Sequence, residues 1–294
     1  MTALFVAILF VLAAANDDDS EEIDRFNDFY EYSDSFARKI MFPISAAAYA
    51  LEASTIETCL RNTIGDVTGV YQFSFPCQDG ECSAYVAQLP KYNAIALGFR
   101  GTQKTGQLVE QVLDALLSPW KRWVHGGRIS EYFHDVFWKL WHHLDDWILA
   151  YIREHPDTDV WISGHSLGGA LATLAASHLV KLKVLENPDK VKLVTFGQPR
   201  VGNKEFADAV DEEVDYAYRV VHYHDLVPTI PKAGFWHQGI EIFYTSDMKP
   251  ENSHYCGRGD SIYCSSTHWS TSISDHREYF GKPVSEYGKG GCKT

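Results

Sequence analysis

The chain of 294 residues is 45% hydrophobic and carries a formal net charge of −13, which excludes several classes of protein. An apolar content of this size is typical of a folded core, so disorder is excluded over most of the length. The acidic balance argues against binding to nucleic acid or to an anionic membrane surface, although it is compatible with neutral lipid. The sequence contains no Pro/Gly/Ser-rich linker and no internal repeat, so one large domain is expected.

Residues 3–15 form an uncharged apolar stretch that ends in alanines. The stretch resembles the hydrophobic region of a secretory signal peptide with an Ala-x-Ala cleavage site, although no Lys or Arg precedes it. We therefore expect a signal peptide over residues 1–15 and a mature domain over residues 16–294. Because the stretch is too short to span a bilayer, no integral membrane segment is expected in the mature chain. An N-terminal core helix is the alternative.

Hydrophobic periodicity predicts helices and strands that alternate along the rest of the chain. Helices are predicted where apolar residues recur with a helical period or where alanine dominates: residues 43–52, 129–152 and 170–184. Strands are predicted over short apolar or alternating runs: residues 67–75, 83–89, 93–99, 160–163, 191–196, 216–222 and 240–245. The first two strands are expected to form a hairpin. The alternation as a whole predicts the α/β class with a mainly parallel sheet.

The sequence Gly-His-Ser-Leu-Gly, residues 164–168, stands between a predicted strand and a predicted helix. This is the context of a nucleophile elbow, a sharp turn that lifts a serine hydroxyl clear of the sheet. Small residues must flank that serine, and Gly164 and Gly168 supply them. Ser166 is therefore the candidate nucleophile, and the N–H of Leu167 is expected to point to where an oxyanion would form. A tight glycine turn without a catalytic role is the alternative.

A serine nucleophile needs a base that takes its proton and an acid that orients the base. After a nucleophile elbow, the acid and then the histidine follow along the chain. Asp225 lies where a predicted strand gives way to a proline-containing loop, at the same edge of the sheet as Ser166. Spacing does not select among the histidines that follow it: His237, His254, His268 and His276.

The chain has six cysteines, and an even number favours an oxidising compartment. By proximity they form two close pairs and one distant pair: Cys77 with Cys82, Cys256 with Cys264, and Cys59 with Cys292. Sequence alone does not fix the pairing. Metal binding is the alternative, but neither a CxxC spacing nor paired histidines accompany the cysteines, so no metal is expected.

Several separate motifs follow one another in the chain. They are Phe-Arg-Gly-Thr at 99–102, Gly-His-Ser-Leu-Gly-Gly at 164–169, Gly-Gln-Pro-Arg-Val-Gly at 197–202, Arg-Val-Val-His at 219–222 with Asp-Leu-Val-Pro at 225–228, and Asp-His at 275–276 with Tyr-Phe at 279–280. In this order they resemble the fungal-type class 3 lipase family, from about residue 40 to about residue 292. The resemblance implies an α/β-hydrolase fold, in which helices flank a central, mainly parallel sheet in a single domain. It also implies hydrolysis of carboxylic esters without a metal or organic cofactor.

Carried over residue by residue, the resemblance implies Ser166 as the nucleophile, Asp225 as the orienting acid and His276 as the general base. Thr102 matches the oxyanion-hole position of the family, and the N–H of Leu167 is the second donor. The disulfide pattern of the family matches the following pairs: Cys59–Cys292, Cys77–Cys82 and Cys256–Cys264.

Residues 103–118, directly after Thr102, lie where the family carries its lid. The segment differs from the Ser-, Asn- and Trp-containing lid of many members, which leaves the acyl-chain preference open. Its apolar residues recur with a helical period and polar residues fall between them, which predicts an amphipathic helix from about residue 106. The apolar stripe consists of Leu108, Val109, Val112, Leu113, Leu116 and Leu117. A helix packed into the core is the alternative.

The preferred interpretation is a secreted triacylglycerol lipase that acts through an acyl-enzyme at lipid–water interfaces. Its expected partner is a lipid ester at an interface; neither nucleic acid nor a protein partner is predicted. One alternative is an esterase or phospholipase that acts on other esters, similar to feruloyl esterases. The other is a lipid-binding protein with an inactive hydrolase fold. The apolar lid favours a lipase over the first, and the presence of Ser166, Asp225 and His276 argues against the second.

Overall fold

The structure, a computed structural model, describes residues 31–77, 80–102, 118–261, 264–265 and 271–293. The strands in these ranges are β1 Thr68–Cys77, β2 Gly80–Leu89, β3 Ala94–Phe99, β4 Trp120–Arg122, β5 Arg128–Ser130, β6 Asp159–His165, β7 Val191–Phe196, β8 Tyr216–His222, β9 Ile240–Tyr244, β10 Ser253–Arg258, β11 Glu278–Tyr279 and β12 Lys282–Pro283. The helices are α1 Asp34–Phe36, α2 Phe42–Ala47, α3 Ala53–Thr63, α4 Glu131–Glu154, α5 Leu167–Lys181, α6 Lys204–Glu213, α7 Ile273–Arg277 and α8 Val284–Lys289. A π-helical turn, Ala37–Met41, joins α1 to α2.

An eight-stranded sheet runs through the protein in the order β1-β2-β3-β6-β7-β8-β9-β10. Neighbouring strands from β3 to β9 are parallel, whereas β1–β2, β2–β3 and β9–β10 pair antiparallel. Helix α4 lies between β3 and β6 in the chain, α5 between β6 and β7, and α6 between β7 and β8. The predicted α/β fold with a mainly parallel central sheet and an N-terminal hairpin is thereby confirmed.

The central strands are buried along almost their whole length because helices cover them. Every residue of β3 and of β8 is buried. Helices α2 and α5 both pack against β3 and β6. Each residue of α5 from Leu167 to Leu179 is buried, so the helix that follows the elbow is a core element.

Helix α4 presents an amphipathic face to the core, as its periodicity predicted. Its buried residues are Phe133, Val136, Phe137, Leu140, Trp141, Leu144, Ile148 and Ile152. The prediction of residues 129–152 is displaced by two residues at each end, since Arg128–Ser130 forms strand β5 and the helix continues to Glu154.

Other predictions differ more from the structure. Helices α3 and α6, the β4–β5 hairpin and strand β10 were not predicted. In α6 only Phe206, Ala207 and Val210 are buried, too few to give a clear apolar stripe. The first helical segment begins at Asp34, before Pro43, and ends at Ala47, before the predicted residue 52. Pro43 lies in the first turn of α2, where no N–H donor is needed, so it marks the change from the π-helical turn and not the start of the segment.

All three expected disulfides are present, and they pair Cys59 with Cys292, Cys77 with Cys82, and Cys256 with Cys264. Asp34–Thr294 forms one compact unit. Among the helices of the described ranges, none combines the length and the apolar character that a membrane crossing requires.

Some predictions concern residues that the structure does not describe. These are the signal peptide over residues 1–15, His268, and the apolar stripe of the expected lid: Leu108, Val109, Val112, Leu113, Leu116 and Leu117.

Candidate active site

Ser166 occupies the sharp turn between β6 and α5. Its backbone angles, φ 59° and ψ −133°, lie in a region that residues other than glycine rarely adopt. The turn is tightly packed, because a Cβ atom on Gly164 would collide with the backbone of Gly168. A Cβ atom on Gly168 would collide with the carbonyl oxygen of Phe99. Both glycines are therefore required by close approach of the backbone, as expected for a nucleophile elbow.

The loop after β3 runs beside this turn. A Cβ atom on Gly101 would lie 3.0 Å from Cβ of Ser166 and 2.5 Å from the carbonyl oxygen of His165. The next residue, Thr102, is half-buried. On the other side of the serine, Leu167 is the first residue of α5. The two residues expected to form the oxyanion hole thus belong to the segments on either side of Ser166.

Asp225 and His276 form a buried pair. Nδ1 of His276 lies 2.9 Å from Oδ1 and 2.9 Å from Oδ2 of Asp225. Each residue is 1% exposed. Since an ionised carboxylate only accepts hydrogen bonds, Nδ1 carries the proton, and the neutral ring has its free electron pair on Nε2. The ring is therefore in the tautomer that a general base requires.

Two further donors converge on the Asp225 carboxylate. The hydroxyl of Tyr279 donates to Oδ2 at 2.6 Å, and the N–H of Val227 donates to Oδ1 at 2.8 Å. Burial raises the pKa of the Asp225 carboxyl, but His276 and these donors together hold that pKa below its ordinary value. The acid is accordingly ionised at neutral pH despite its burial. Tyr279 belongs to the last sequence motif, but its spacing gave no indication of this contact.

Gly197 brings the serine and the buried pair together. The N–H of Ser166 donates to the carbonyl of Phe196, the residue before Gly197, at 2.9 Å. A Cβ atom on Gly197 would lie only 2.7 Å from Oδ2 of Asp225 and 2.9 Å from Nδ1 of His276. The serine and the buried pair therefore both lie beside the Phe196–Gly197 segment, at the carboxyl ends of β6, β7 and β8. Oγ of Ser166 and Nε2 of His276 are buried polar atoms without a hydrogen-bond partner among the described residues.

The structure distinguishes among the histidines that the sequence offered as partners of Asp225. His237 is buried and donates from Nε2 to the carbonyl oxygen of Pro228 at 2.7 Å. His254 is exposed on the edge strand β10. Of the three candidates that lie in the described ranges, only His276 contacts Asp225.

His165, next to the serine, is a site residue that the sequence analysis did not identify. Its Nε2 lies 2.7 Å from the carbonyl oxygen of His276, and its Nδ1 lies 2.7 Å from the hydroxyl of Tyr49. Burial and, to a smaller extent, the nearby charge of His276 lower the pKa of His165 to about 3. The neutral ring donates from Nε2 to the carbonyl and accepts from Tyr49 at Nδ1.

His222, at the end of β8, makes a similar contact from the other side. Its Nδ1 lies 2.7 Å from the carbonyl oxygen of Glu278 and 3.0 Å from that of Asp275. The residue is 6% exposed. Both His165 and His222 occur within the sequence motifs, but contacts between a side chain and a distant backbone leave no periodic signal that could have revealed their roles.

One group of side chains in the described ranges has the spacing of a metal site: Glu241, Cys256 and Cys264. The two cysteines are joined in a disulfide, so they offer no thiolate ligands. Glu241 accepts hydrogen bonds from the backbone N–H and the hydroxyl of Ser265. The group is a disulfide beside a hydrogen-bonded carboxylate.

Comparison with known proteins identifies the family of this chain. Residues 96–235 match the family model described as lipase (class 3). A lipase from Caenorhabditis elegans is 32% identical over 302 residues, which cover 89% of this chain and 83% of that protein. The chain belongs to the class 3 lipase family. It spans about half the length of the curated Rhizomucor and Rhizopus lipases that it also matches, between 51% and 56%.

Solved structures of lipases share the fold of this class 3 lipase. The lipase from Rhizopus microsporus var. chinensis aligns with a TM-score of 0.75 at 25% identity, over 87% of this chain and 90% of that one. A triacylglycerol lipase whose catalytic centre is a serine protease triad aligns with a TM-score of 0.69 at 25% identity, over 93% and 98% of the two chains. The expected α/β-hydrolase fold is confirmed, and the class 3 lipase is a carboxylic ester hydrolase.

Proposed function

We propose that this class 3 lipase hydrolyses acylglycerols with Ser166 as nucleophile, His276 as general base and Asp225 as orienting acid. One observation carries the proposal: Oγ of Ser166 and Nε2 of His276 are buried and have no hydrogen-bond partner in the described part of the chain, and the Asp225 carboxylate holds the opposite ring nitrogen of His276. A buried unpaired polar atom is costly, and such atoms persist where substrate or chemistry uses them.

The reaction proceeds in two steps. Oγ of Ser166 attacks the ester carbonyl carbon as its proton passes to Nε2 of His276, and that proton then goes to the departing alcohol. Water next attacks the acyl carbon and gives a proton to Nε2. Return of this proton to Oγ releases the fatty acid and restores the enzyme. Asp225 stays ionised throughout and stabilises the imidazolium.

The oxyanion of each tetrahedral intermediate would accept hydrogen bonds from the N–H groups of Leu167 and Thr102. Leu167 begins α5, and the first N–H groups of a helix have no intrahelical partner. The helix dipole adds partial positive charge at that end. The passage of Gly101 along Ser166 supports the assignment of Thr102, which follows it.

The names of the relatives support the substrate class. The structure with the serine protease triad is a triacylglycerol lipase, and a relative from Fusarium solani is a secreted mono- and diacylglycerol lipase. The predicted apolar stripe in residues 103–118 would act as a lid that opens against a lipid surface. An acylglycerol at an interface is therefore the substrate we propose.

We further propose that the protein is secreted after removal of residues 1–15. The apolar stretch that ends in alanines supports a signal peptide. Three disulfides support an oxidising compartment, because thiols in the cytosol are kept reduced. N-terminal sequencing of the secreted protein tests this assignment, and a mature chain that retains residues 1–15 would refute it.

Labelling with an organophosphonate ester tests the nucleophile. We expect mass spectrometry to find the adduct on Ser166, and Ser166→Ala to lose at least about 1,000-fold in kcat. Ser163→Ala is the matched control, since Ser163 is buried on β6, which leads into the turn of Ser166, and donates to the carbonyl of Val194. An adduct on another residue, or full turnover by Ser166→Ala, would refute the proposal.

The substrate is tested by comparing hydrolysis of emulsified long-chain triacylglycerols, phospholipid vesicles and soluble short-chain or feruloyl esters. We expect the highest kcat/KM on the emulsified acylglycerols. A preference for phospholipid or for feruloyl esters would leave the triad in place and overturn the substrate class.

A further inference from the structure

The helix that carries His276 is only one turn long. Helix α7 spans five residues, Ile273–Arg277. A helix of this length is not stable on its own, because nucleation is unfavourable and few hydrogen bonds follow it. The carbonyl groups in its last turn also have no partner within the helix. The position of the His276 ring must therefore be held by contacts from elsewhere in the fold.

His222 supplies one of these contacts from β8. Its Nδ1–H points to two carbonyl oxygens, those of Glu278 at 2.7 Å and Asp275 at 3.0 Å. These carbonyls lie on both sides of His276 in the sequence. A carbonyl oxygen only accepts, so the ring must donate, and one donor serves both acceptors.

His165 supplies the second contact from β6. Its Nε2–H donates to the carbonyl oxygen of His276 itself at 2.7 Å. The hydroxyl of Tyr49, 2.7 Å from Nδ1, fixes the orientation of the ring. Tyr49 is 1% exposed and His165 is 5% exposed, so water does not compete for these hydrogen bonds.

We propose that His222 and His165 are positioning residues that hold the backbone of α7 and thereby fix the His276 ring between Ser166 and Asp225. The inference rests on the proposed function of that triad. His165 directly precedes Ser166 on β6, and His222 lies three residues before Asp225 at the end of β8. The strand that leads to Ser166 and the strand that leads to Asp225 thus each also carry a histidine that holds the backbone around His276.

The consequence for catalysis follows from geometry. A displacement of about 1 Å in a catalytic group can lower the rate about 100-fold, because the reacting atoms must be aligned before the proton moves. His222 and His165 contact backbone carbonyls of α7 and of Glu278, which follows it, and neither ring is assigned a step in the proposed reaction. Loss of either ring is therefore expected to lower kcat and leave KM nearly unchanged.

The test compares His222→Phe with His222→Gln in the full-length protein. Phenylalanine keeps a planar ring without a donor, whereas glutamine keeps an N–H group that can reach a carbonyl. We expect His222→Phe to lose about 10- to 100-fold in kcat with KM within about twofold, and His222→Gln to recover most of the loss. The rate of phosphonate labelling at Ser166 should fall in parallel.

His178→Phe is the matched control. His178 is also a buried histidine, 7% exposed, but its ring bonds to His125 and not to the backbone of α7. We expect this variant to lose thermal stability and to keep kcat within about twofold. A general effect of removing a buried histidine would instead lower kcat in both variants alike, and that result would overturn the inference.

A second variant decides the matter if His222→Phe does not fold. Tyr49→Phe removes only the hydroxyl that orients His165, and we expect a several-fold loss of kcat at unchanged KM. Unchanged kcat in whichever of the two variants folds would refute the positioning role. Because Ser166→Ala is assayed beside them, its inactivity would show that the triad proposal survives such a result.

Discussion

The hydroxyl of Tyr279 lies 2.6 Å from Oδ2 of Asp225 and donates to it from a fully buried ring. A hydrogen bond to a buried ionised group contributes about 1.5 to 3 kcal/mol. This bond competes with the proton for the carboxylate, and its loss would therefore raise the pKa of Asp225. Tyr279 thus helps to keep the acid of the proposed triad charged.

Tyr279→Phe is expected to lower kcat by about tenfold or more, which corresponds to about 1.4 kcal/mol of transition-state stabilisation. KM should change little, because the ring does not reach the surface. Tyr85→Phe is the matched control: the Tyr85 hydroxyl is also buried, but it donates to the carbonyl of Ile44 at 2.8 Å. Equal rates for Tyr279→Phe and the unmodified protein would contradict the role assigned to this hydroxyl.

Gly197→Ala should disrupt the pair of Asp225 and His276 directly. The added methyl group would lie 2.7 Å from the carboxylate and 2.9 Å from the ring nitrogen, so both groups must move. We expect kcat to fall by about 100-fold or more. The positive φ of 56° adds a conformational cost of roughly 1 to 2 kcal/mol in stability.

Gly257→Ala separates these two effects. Gly257 also has a positive φ, 87°, but no atom of the described residues lies within 4 Å of an added Cβ atom. We expect Gly257→Ala to show only the conformational cost, and hence a smaller loss of stability than Gly197→Ala in chemical denaturation, while its activity stays normal. If both variants lost activity equally, backbone strain and not the contact with the triad would be responsible.

His178 makes stability depend on pH in the acid range. Burial and, to a smaller extent, the charges of His125 and His142 together lower its pKa from 6.5 to about 4. As the pH falls, His178 binds a proton in the unfolded chain before it does so in the folded protein. The free energy of unfolding therefore has its full value above about pH 6.5 and falls progressively toward pH 4. His178→Phe should reduce the slope of unfolding free energy against pH in this window by up to about 1.4 kcal/mol per pH unit.

Denaturant titrations at several pH values between these limits measure that slope. His155→Gln is the control, because His155 is exposed at the end of α4. An identical slope in His178→Phe and the unmodified protein would show that His178 gains its proton equally in the folded and unfolded states.

The three disulfides should differ in their contribution to stability. Cys59–Cys292 joins residues 233 positions apart, whereas Cys77–Cys82 joins residues only 5 positions apart. In a chain-entropy account, closure of the longer loop contributes about 3 kcal/mol more. Double substitution to serine at Cys59 and Cys292 should therefore lower the unfolding free energy by that much more than the same substitution at Cys77 and Cys82. Equal losses would exclude the loop-entropy explanation.

The apolar stripe of residues 103–118 predicts activation at interfaces. Exposure of a couple of its side chains to water would cost about 3 kcal/mol, which a lipid surface would largely remove. Activity on a sparingly soluble short-chain ester should rise sharply above its solubility limit. Leu113→Ser with Leu117→Ser should flatten this rise and spare activity on dissolved ester, whereas Gln111→Ser should not. A smooth saturation curve in all variants would favour the alternative of a core-packed helix.

The parts of the fold that came from strong local patterns were predictable. The strands 191–196 and 216–222 agree with β7 and β8 at both ends, because their apolar runs are bounded by polar loops. The elbow was predictable for a similar reason, since its glycines are a steric requirement of the turn. Helix α6 and strand β10 were missed because few of their residues are buried.

The site was predictable only in part. Asp225 could be located from the strand and proline loop around it, whereas the choice of His276 depended on family resemblance. Contacts such as that of His222 with the carbonyl of Glu278 join elements 56 residues apart and depend on the packed backbone. Local patterns contain no information on such contacts.

The Cys59–Cys292 disulfide also changes what a protease can do to this molecule. Residues 59–292 form a closed covalent ring, and Ser166, Asp225 and His276 all lie within it. One cut in any loop of that ring only linearises it, so both sides of the cut stay on the same molecule. A fragment between residues 59 and 292 departs only after a second cut elsewhere in the ring, or after reduction of the disulfide.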